Sequence, residues 1–440
     1  MGPEARVLIL SASDSVAGPL AEGLDRLGWR TVTARTQEGA MAAVADFPIE
    51  AAIVDAAGVP GDLSAVAKAL RAAAAPVRLP LIALASLSTQ FDRASFDLTL
   101  SGSPHPAQAA LRIEQVVRAA VAEDELILRR ETFADQGFPL ELPDDHDRPV
   151  RVLVVGDPNP AFLALSNAMQ SAGADVVAAF TAYTAFDYLH EKPFDAVVLW
   201  GGDDQASALA IAGGMRRNTR LYHVPTLLYL RRSADLNLSE AYNRGVTDVA
   251  APDVPEAESA DRIMALASAY RRQTLVREAL DRARGSGLMD LATGLFTREL
   301  FAAHLARLGR ASQSLRRPLS VCVLRVANRP DVARARLSGW LDKAMPQIGS
   351  MIARLVRSED TAARLGSEVF ALALPATSQA QARLVGERIA AVLGCTAFEA
   401  GEGQTPFVIE FDVGAARLEP GQTAAEALEQ AAVLTVRKAG

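Results

Sequence analysis

Four stretches of the 440-residue chain combine reactive or ligand-binding side chains at telling intervals. Asp55 closes the apolar run Ala51-Ala-Ile-Val-Asp55, setting a carboxylate at the end of a buried-strand pattern. A carboxylate can attack phosphorus there if a metal ion and a cation neutralise the transferring group. Arg357-Ser-Glu-Asp360 joins a guanidinium and a carboxylate three residues apart, with Arg388 further on in Gly386-Glu-Arg-Ile389. Such a spacing most often makes a surface ion pair. A guanidinium nevertheless offers forked donors to a phosphate or to the O6/N7 edge of guanine, and a carboxylate accepts from guanine N1–H and N2–H. The remaining two stretches are the strand-like Cys322-Val-Leu-Arg325-Val-Ala327 and the turn Gly366-Ser367-Glu368-Val369-Phe370. The two cysteines, Cys322 and Cys395, have no Cys or His neighbour at metal-ligand spacing, so neither a zinc site nor a disulfide framework is encoded, and a reducing compartment fits.

These groups need elements to hold them, and the length corresponds to about three domains. Arg6-Val-Leu-Ile-Leu and Arg151-Val-Leu-Val-Val begin the same strand-then-helix pattern twice. In the first copy, apolar runs at 6–10, 51–55 and 80–84 alternate with Ala-rich helical stretches. The second copy has strand candidates at 151–155, 175–179, 195–199 and 225–230, with Gly245-Val-Thr-Asp-Val leading into a last short strand. The alternation predicts an α/β class of two doubly wound, five-stranded, flavodoxin-like parallel sheets. Long helical patterns, about 107–134 and 256–284, close the copies, followed by the linkers Gly137-Phe-Pro-Leu-Glu-Leu-Pro-Asp-Asp145 and Gly285-Ser-Gly287. The expected domains are therefore 1–135, 150–284 and 288–440, the last with apolar runs at 319–324, 369–374 and 407–413.

A net charge of -7 argues against a nucleic-acid partner, and Arg216-Arg217 and Arg271-Arg272 read as solvated helix faces. The N-terminal segment lacks a basic stretch followed by a long apolar one, and no apolar run approaches the roughly 20 residues that span a bilayer. A cytoplasmic protein without direct membrane insertion is expected.

Both front copies resemble response-regulator receiver domains, which makes Asp55 the candidate phosphoacceptor. The other receiver groups are missing. Ser11-Ala12 stand where an acidic pair holds Mg²⁺, with Asp14 too far along, and Ala85, Ser86 and Leu100 fall near the expected hydroxyl and lysine positions. In the second copy Trp200 takes the acceptor position, Asp157 alone survives of the acidic pair, and Pro252 stands near the lysine position. Both copies are expected to serve as adaptors.

Asp290-Leu-Ala-Thr-Gly-Leu-Phe-Thr-Arg-Glu-Leu-Phe301 resembles the D-x-L-T-G-L-x-N-R-R-x-F opening of the GGDEF family of diguanylate cyclases, and Gly366-Ser-Glu-Val-Phe370 stands in place of the signature. The resemblance implies a nucleotidyl-cyclase-like α+β fold. It also implies that Arg325 and Ala327 replace two metal-binding aspartates, that Ala333-Arg334 replace a nucleotide-contacting Asn-Asp pair, and that Ser367 and Val369 replace signature residues. Gly366 and Glu368 are kept. A guanidinium in the metal site repels Mg²⁺, so no catalytic residue, metal or cofactor is expected. The family's allosteric product site, R-x-x-D five residues before the signature, is matched by Arg357 and Asp360, with Arg388 as a third contact for cyclic di-GMP.

Two receivers before a GGDEF domain match the layout of response-regulator cyclases, and a catalytically dead relative of that group is implied. The implied role is a cyclic di-GMP effector, homodimeric through its receivers. It recruits a cell-cycle regulator to the cell pole as adaptor for an ATP-dependent protease. Ligand binding is expected to tie the third domain to a receiver through Arg151. A nucleotide-independent scaffold and a weak cyclase are the alternatives.

Overall fold

The computed structural model describes residues 6–85, 89–100, 104–142, 148–201, 205–218, 220–230, 238–250 and 254–436. Ser86, Pro252 and part of the first expected linker lie outside these residues.

The first fold runs β1 (Arg6–Leu10), α1 (Asp14–Arg26), β2 (Arg30–Ala34), α2 (Gln37–Asp46), β3 (Ile49–Asp55), α3 (Leu63–Ala74), β4 (Leu81–Leu84), β5 (Leu98–Leu100) and α4 (Pro106–Asp135). All strand pairs are parallel, in the order β2-β1-β3-β4-β5. Successive side chains of a strand point to opposite faces, and both faces here are covered. Leu8, Leu10, Ala52 and Val54 pack under α2 and α3. Val7, Ile9, Ala51 and Ile53 pack under α1 and the first half of α4. The near-continuous apolar runs that mark buried parallel strands follow from this two-sided burial. The half-exposed β2, Arg-Thr-Val-Thr-Ala, has no such run and was not expected.

The second fold repeats the plan: β6 (Arg151–Val155), α5 (Pro160–Ser171), β7 (Asp175–Ala179), α6 (Ala182–Glu191), β8 (Ala196–Gly201), α7 (Ala206–Arg217), β9 (Thr226–Leu230), α8 (Leu238–Asn243), β10 (Asp248–Ala250) and α9 (Glu256–Arg282). Its order, β10-β9-β8-β6-β7, is the same winding read from the other edge. Arg271 is only 7% exposed, so of the two basic pairs expected to be solvated it is an exception, drawn into the core side of α9.

The last section contains α10 (Arg298–Leu315), β11 (Leu319–Val326), α11 (Pro330–Leu337), α12 (Trp340–Leu355), β12 (Thr361–Gly366), β13 (Val369–Pro375), α13 (Gln379–Gly394), β14 (Phe411–Arg417) and α14 (Ala424–Val436). Its sheet is antiparallel, in the order β12-β13-β11-β14. The apolar run at 407–413 is a strand only from Phe411, because Phe407 pairs with Phe398 in a separate bridge. The unexpected β12 follows directly on Asp360, so the R-x-x-D segment is the turn between α12 and an edge strand.

The chain forms two compact units: residues 1–141 with 280–440, and residues 142–279. Within the first unit α4 is the shared element. Ala109, Ile113 and Val117 of its first half belong to the first sheet's core. Glu125, Arg129 and Phe133 of its second half are buried against the C-terminal fold. Among the described residues no helix is long and apolar enough to cross a membrane.

Candidate functional site

At the end of β3, Asp55 is 5% exposed and already supplied with donors. Ser11 Oγ donates to its Oδ2 at 2.7 Å, and the amides of Ala57 and Gly58 donate to its Oδ1 at 3.1 and 3.2 Å. A Cβ on Gly58 would lie 2.4 Å from Asp55 Oδ2, so glycine is required for the following turn to close over the carboxylate. Asp14 points elsewhere, into an ion pair with Arg35, and Ala85 and Leu100 are buried apolar residues. In the second fold Trp200 fills the equivalent strand end. It stacks on Tyr229 at 4.4 Å between ring centres, meets Phe162 edge-on at 5.7 Å, and lies so close to Gly156 that a Cβ there would sit 2.4 Å from its own.

The face of the C-terminal fold that carries Arg325 and Glu368 is lined by ion pairs. Arg325 is the one exposed residue of β11, in register with Val369 on β13 and Asp412 on β14. Glu368 receives a bidentate contact from Arg336 at 2.5 and 2.7 Å, so its carboxylate is matched by a guanidinium. Arg334 pairs with Asp331 and Arg329 with Glu410, while Ala327 is a buried strand-end residue whose amide donates to Glu410 O at 2.9 Å. Arg364 donates to the carbonyls of Gly366 and Ser367 at 3.2 and 3.0 Å, tying the turn into which Val369 leads back. The opening motif is a brace for this turn. Asp290 accepts from Thr293 N and Oγ1 at 2.8 and 2.7 Å and faces Arg364 at 3.4 Å. Burial alone would push the Asp290 carboxyl up, but those hydrogen bonds and the Arg364 charge together hold it below its ordinary value.

The R-x-x-D turn is closed on itself and covered. Asp360 Oδ2 accepts from the Arg357 amide at 3.0 Å, an arrangement that fixes the turn at the end of α12. The side chain of Arg388, on α13, reaches the same corner and donates to Leu355 O at 3.0 Å. Its helix can lie this close because Gly386 faces Cys322 Sγ, where a Cβ would come within 2.5 Å. The structure thus brings Arg357, Asp360 and Arg388 to one corner.

Over that corner lies the second half of α4, an element whose local pattern does not point there. Arg129 Nη2 donates to the carbonyls of Ser358 and Asp360 at 3.2 and 3.3 Å and to Thr361 Oγ1 at 3.1 Å. Glu125 Oε1 gathers Arg129 Nε at 2.8 Å, His304 Nε2 at 2.9 Å and the Thr361 hydroxyl at 3.2 Å. Arg118 faces Glu359 at 3.5 Å and Glu114 faces Arg357 at 3.8 Å. Burial pushes the carboxyls of Glu359 and Asp360 up, and for Glu359 the adjacent Asp360 adds to it. Burial also lowers the pKa of His304, against the pull of Glu125. Arg151 pairs with Asp175 of its own sheet at 2.7 Å, and Arg118 and Arg129 of α4 are arginines beside the turn.

Residues 287–439 match the model of the family described as diguanylate cyclase, GGDEF domain. The chain is 21% identical over 222 residues to the response regulator PleD of Caulobacter vibrioides, an alignment that covers 50% of this chain and 49% of PleD. It thus spans about half the length of the curated relatives it matches. Among solved structures, the GGDEF domain of FimX from Pseudomonas aeruginosa is 20% identical, covering 35% of this chain and 95% of that one with a TM-score of 0.32. The GGDEF domain of DgcB from Caulobacter crescentus, in complex with c-di-GMP, is also 20% identical, covering 35% and 88% with a TM-score of 0.33. The C-terminal section of this chain, residues 287–439, thus matches the GGDEF domain family.

Proposed function

We propose that this chain is a cyclic di-GMP effector without cyclase chemistry. The observation that carries the reading is a contrast within one domain. Arg357, Asp360 and Arg388 share a corner, whereas Arg325 stands where a metal-binding acid belongs and Glu368 is neutralised by Arg336. Joining two nucleotides needs a metal-held triphosphate and an acid to activate the attacking hydroxyl, and neither can be supplied by that face. Recognition of a guanine nucleotide needs only a guanidinium fork and a carboxylate, both present at the corner.

Under this reading the two α/β folds are receiver-derived adaptor modules. The carboxylate of Asp55 is engaged by its own loop, and Trp200 replaces the second acceptor. The wider role is that of a homodimeric adaptor at the cell pole, presenting a cell-cycle regulator to an ATP-dependent protease in a ligand-dependent way.

Calorimetric titration of the full chain with cyclic di-GMP, beside Arg357→Gly and a GTP control with Mg²⁺, tests the reading. Saturable binding lost in the variant, with no turnover of GTP, is expected. Conversion of GTP to cyclic product by the folded wild-type chain, or failure to bind both by it and by folded variants that uncover Asp360, would sink it.

A further inference from the structure

We infer that the second half of α4 is an internal occupant of the R-x-x-D corner, so that a ligand reaching Asp360 must first lift this helix from the GGDEF domain. The inference rests on the ligand reading above and adds the regulation of the same site. Three observations carry it.

Asp360 is 6% exposed, and its Oδ1 is buried without a hydrogen-bond partner. The oxygen left for a guanine edge is therefore out of reach while the helix is down. Next, Arg129 spends its guanidinium on the carbonyls of the turn itself, at Ser358 and Asp360, so the helix grips the same backbone whose side chains would hold the ligand. Finally, Glu114 faces Arg357 at 3.8 Å, presenting an anion where a ligand phosphate would stand. A carboxylate tethered on α4 thus substitutes for the charge of the ligand.

The contacts differ in strength, and that sets how the lid works. Glu114 and Arg357 are both more than a third exposed, and a pair of that kind contributes little. At the far end of the helix Arg307, 19% exposed, pairs with the exposed carboxylates of Glu131 at 3.3 Å and Asp135 at 2.6 Å, so this rim too is open to solvent on the α4 side. Between them lies the fully buried knot of Glu125, Arg129 and His304. If the ligand binds only the lifted form, its apparent affinity is the intrinsic one multiplied by the lifted fraction. Loosening either rim must then tighten binding.

The test uses the full chain and two variants. Glu114→Gln removes the tethered anion, and Arg307→Ala loosens the far rim at a residue that contacts α4 but not the turn. Each is expected to bind cyclic di-GMP about two- to fivefold more tightly, the fold-change of releasing one exposed pair. Ligand should also raise amide hydrogen exchange across residues 114–132. Wild-type binding with unchanged or weaker affinity in both variants, and α4 still protected in the complex, overturns the lid and leaves the ligand reading standing. No binding by the wild type or by either folded variant overturns both. Binding by the variants alone supports both.

Discussion

At the scale of single residues, the chain keeps positions and changes their chemistry. Trp200 is the clearest case, because at the strand end where the first fold carries Asp55 the second carries an aromatic ring, walled by Tyr229, Phe162 and the bare backbone of Gly156. Trp200 is 5% exposed, and truncating a packed aromatic side chain costs about 3–5 kcal/mol. Trp200→Ala is therefore expected to lower the stability of the second fold by that amount, read by urea unfolding of the full chain. A loss below about 1 kcal/mol would show that the ring only covers a surface. Arg325, Ala327, Ser367 and Val369 could be singled out in the sequence, since each falls on a fixed offset from the opening motif or the signature. The same offsets single out residues 357, 360 and 388, which lie at one corner of the fold. What offsets could not tell is whether Asp360 faces solvent or another element.

At the scale of elements, α4 accounts for most of what the sequence concealed. Its pattern over 107–134 predicts a helix, and Pro106–Asp135 is one. Glu125 and Arg129, four residues apart, have the spacing of an ordinary solvated pair, yet Arg129 and Glu125 are 1% and 2% exposed as residues. Their burial is imposed by His304, Thr361 and the 357–360 turn, which lie some 180 to 230 positions away, and no local periodicity carries information over that distance. The half-exposed strand β2 and the turn-adjacent β12 were hidden by a related cause, because neither has the continuous apolar run of a two-sided strand. The buried histidine gives α4 a pH dependence. Burial holds His304 neutral in the fold below its ordinary value of 6.5, so the unfolded chain takes up a proton first as pH falls. Stability should decline as pH drops below about 6.5 and be regained above it. His304→Gln should flatten that slope in thermal denaturation between pH 7 and pH 5. An unchanged slope would assign it to other groups.

At the scale of the whole molecule, the two compact units do not follow the order of the chain, because residues 142–279 interrupt a unit made from both ends. Two calorimetric transitions are expected, with the first sheet and the GGDEF domain melting together. Glu125→Ala should separate them by removing the carboxylate that balances Arg129. Stranding one partner of a buried ion pair costs about 3–5 kcal/mol, so the joint transition should fall or split while the other stays in place. A uniform shift of both transitions would contradict the assignment. The repeat of 6–10 and 151–155 made the two parallel sheets readable in advance. The union of the first and last sections was not readable, since it is made by side chains on surfaces that look like ordinary helix exteriors.

The same interruption has a consequence during synthesis. Once α4 has left the ribosome, about 140 further residues must be made before the surface it rests on begins to appear. At 5–20 residues per second this is a wait of roughly 7 to 28 s. A greasy face would spend that interval inviting aggregation. The face of α4 instead mixes Val121, Leu128 and Phe133 with Glu114, Arg118, Asp124, Glu125 and Arg129, and these charges stay hydrated until their partners arrive. The ionic character of the contact thus suits a nascent chain that must hold a domain in readiness before its counterpart exists.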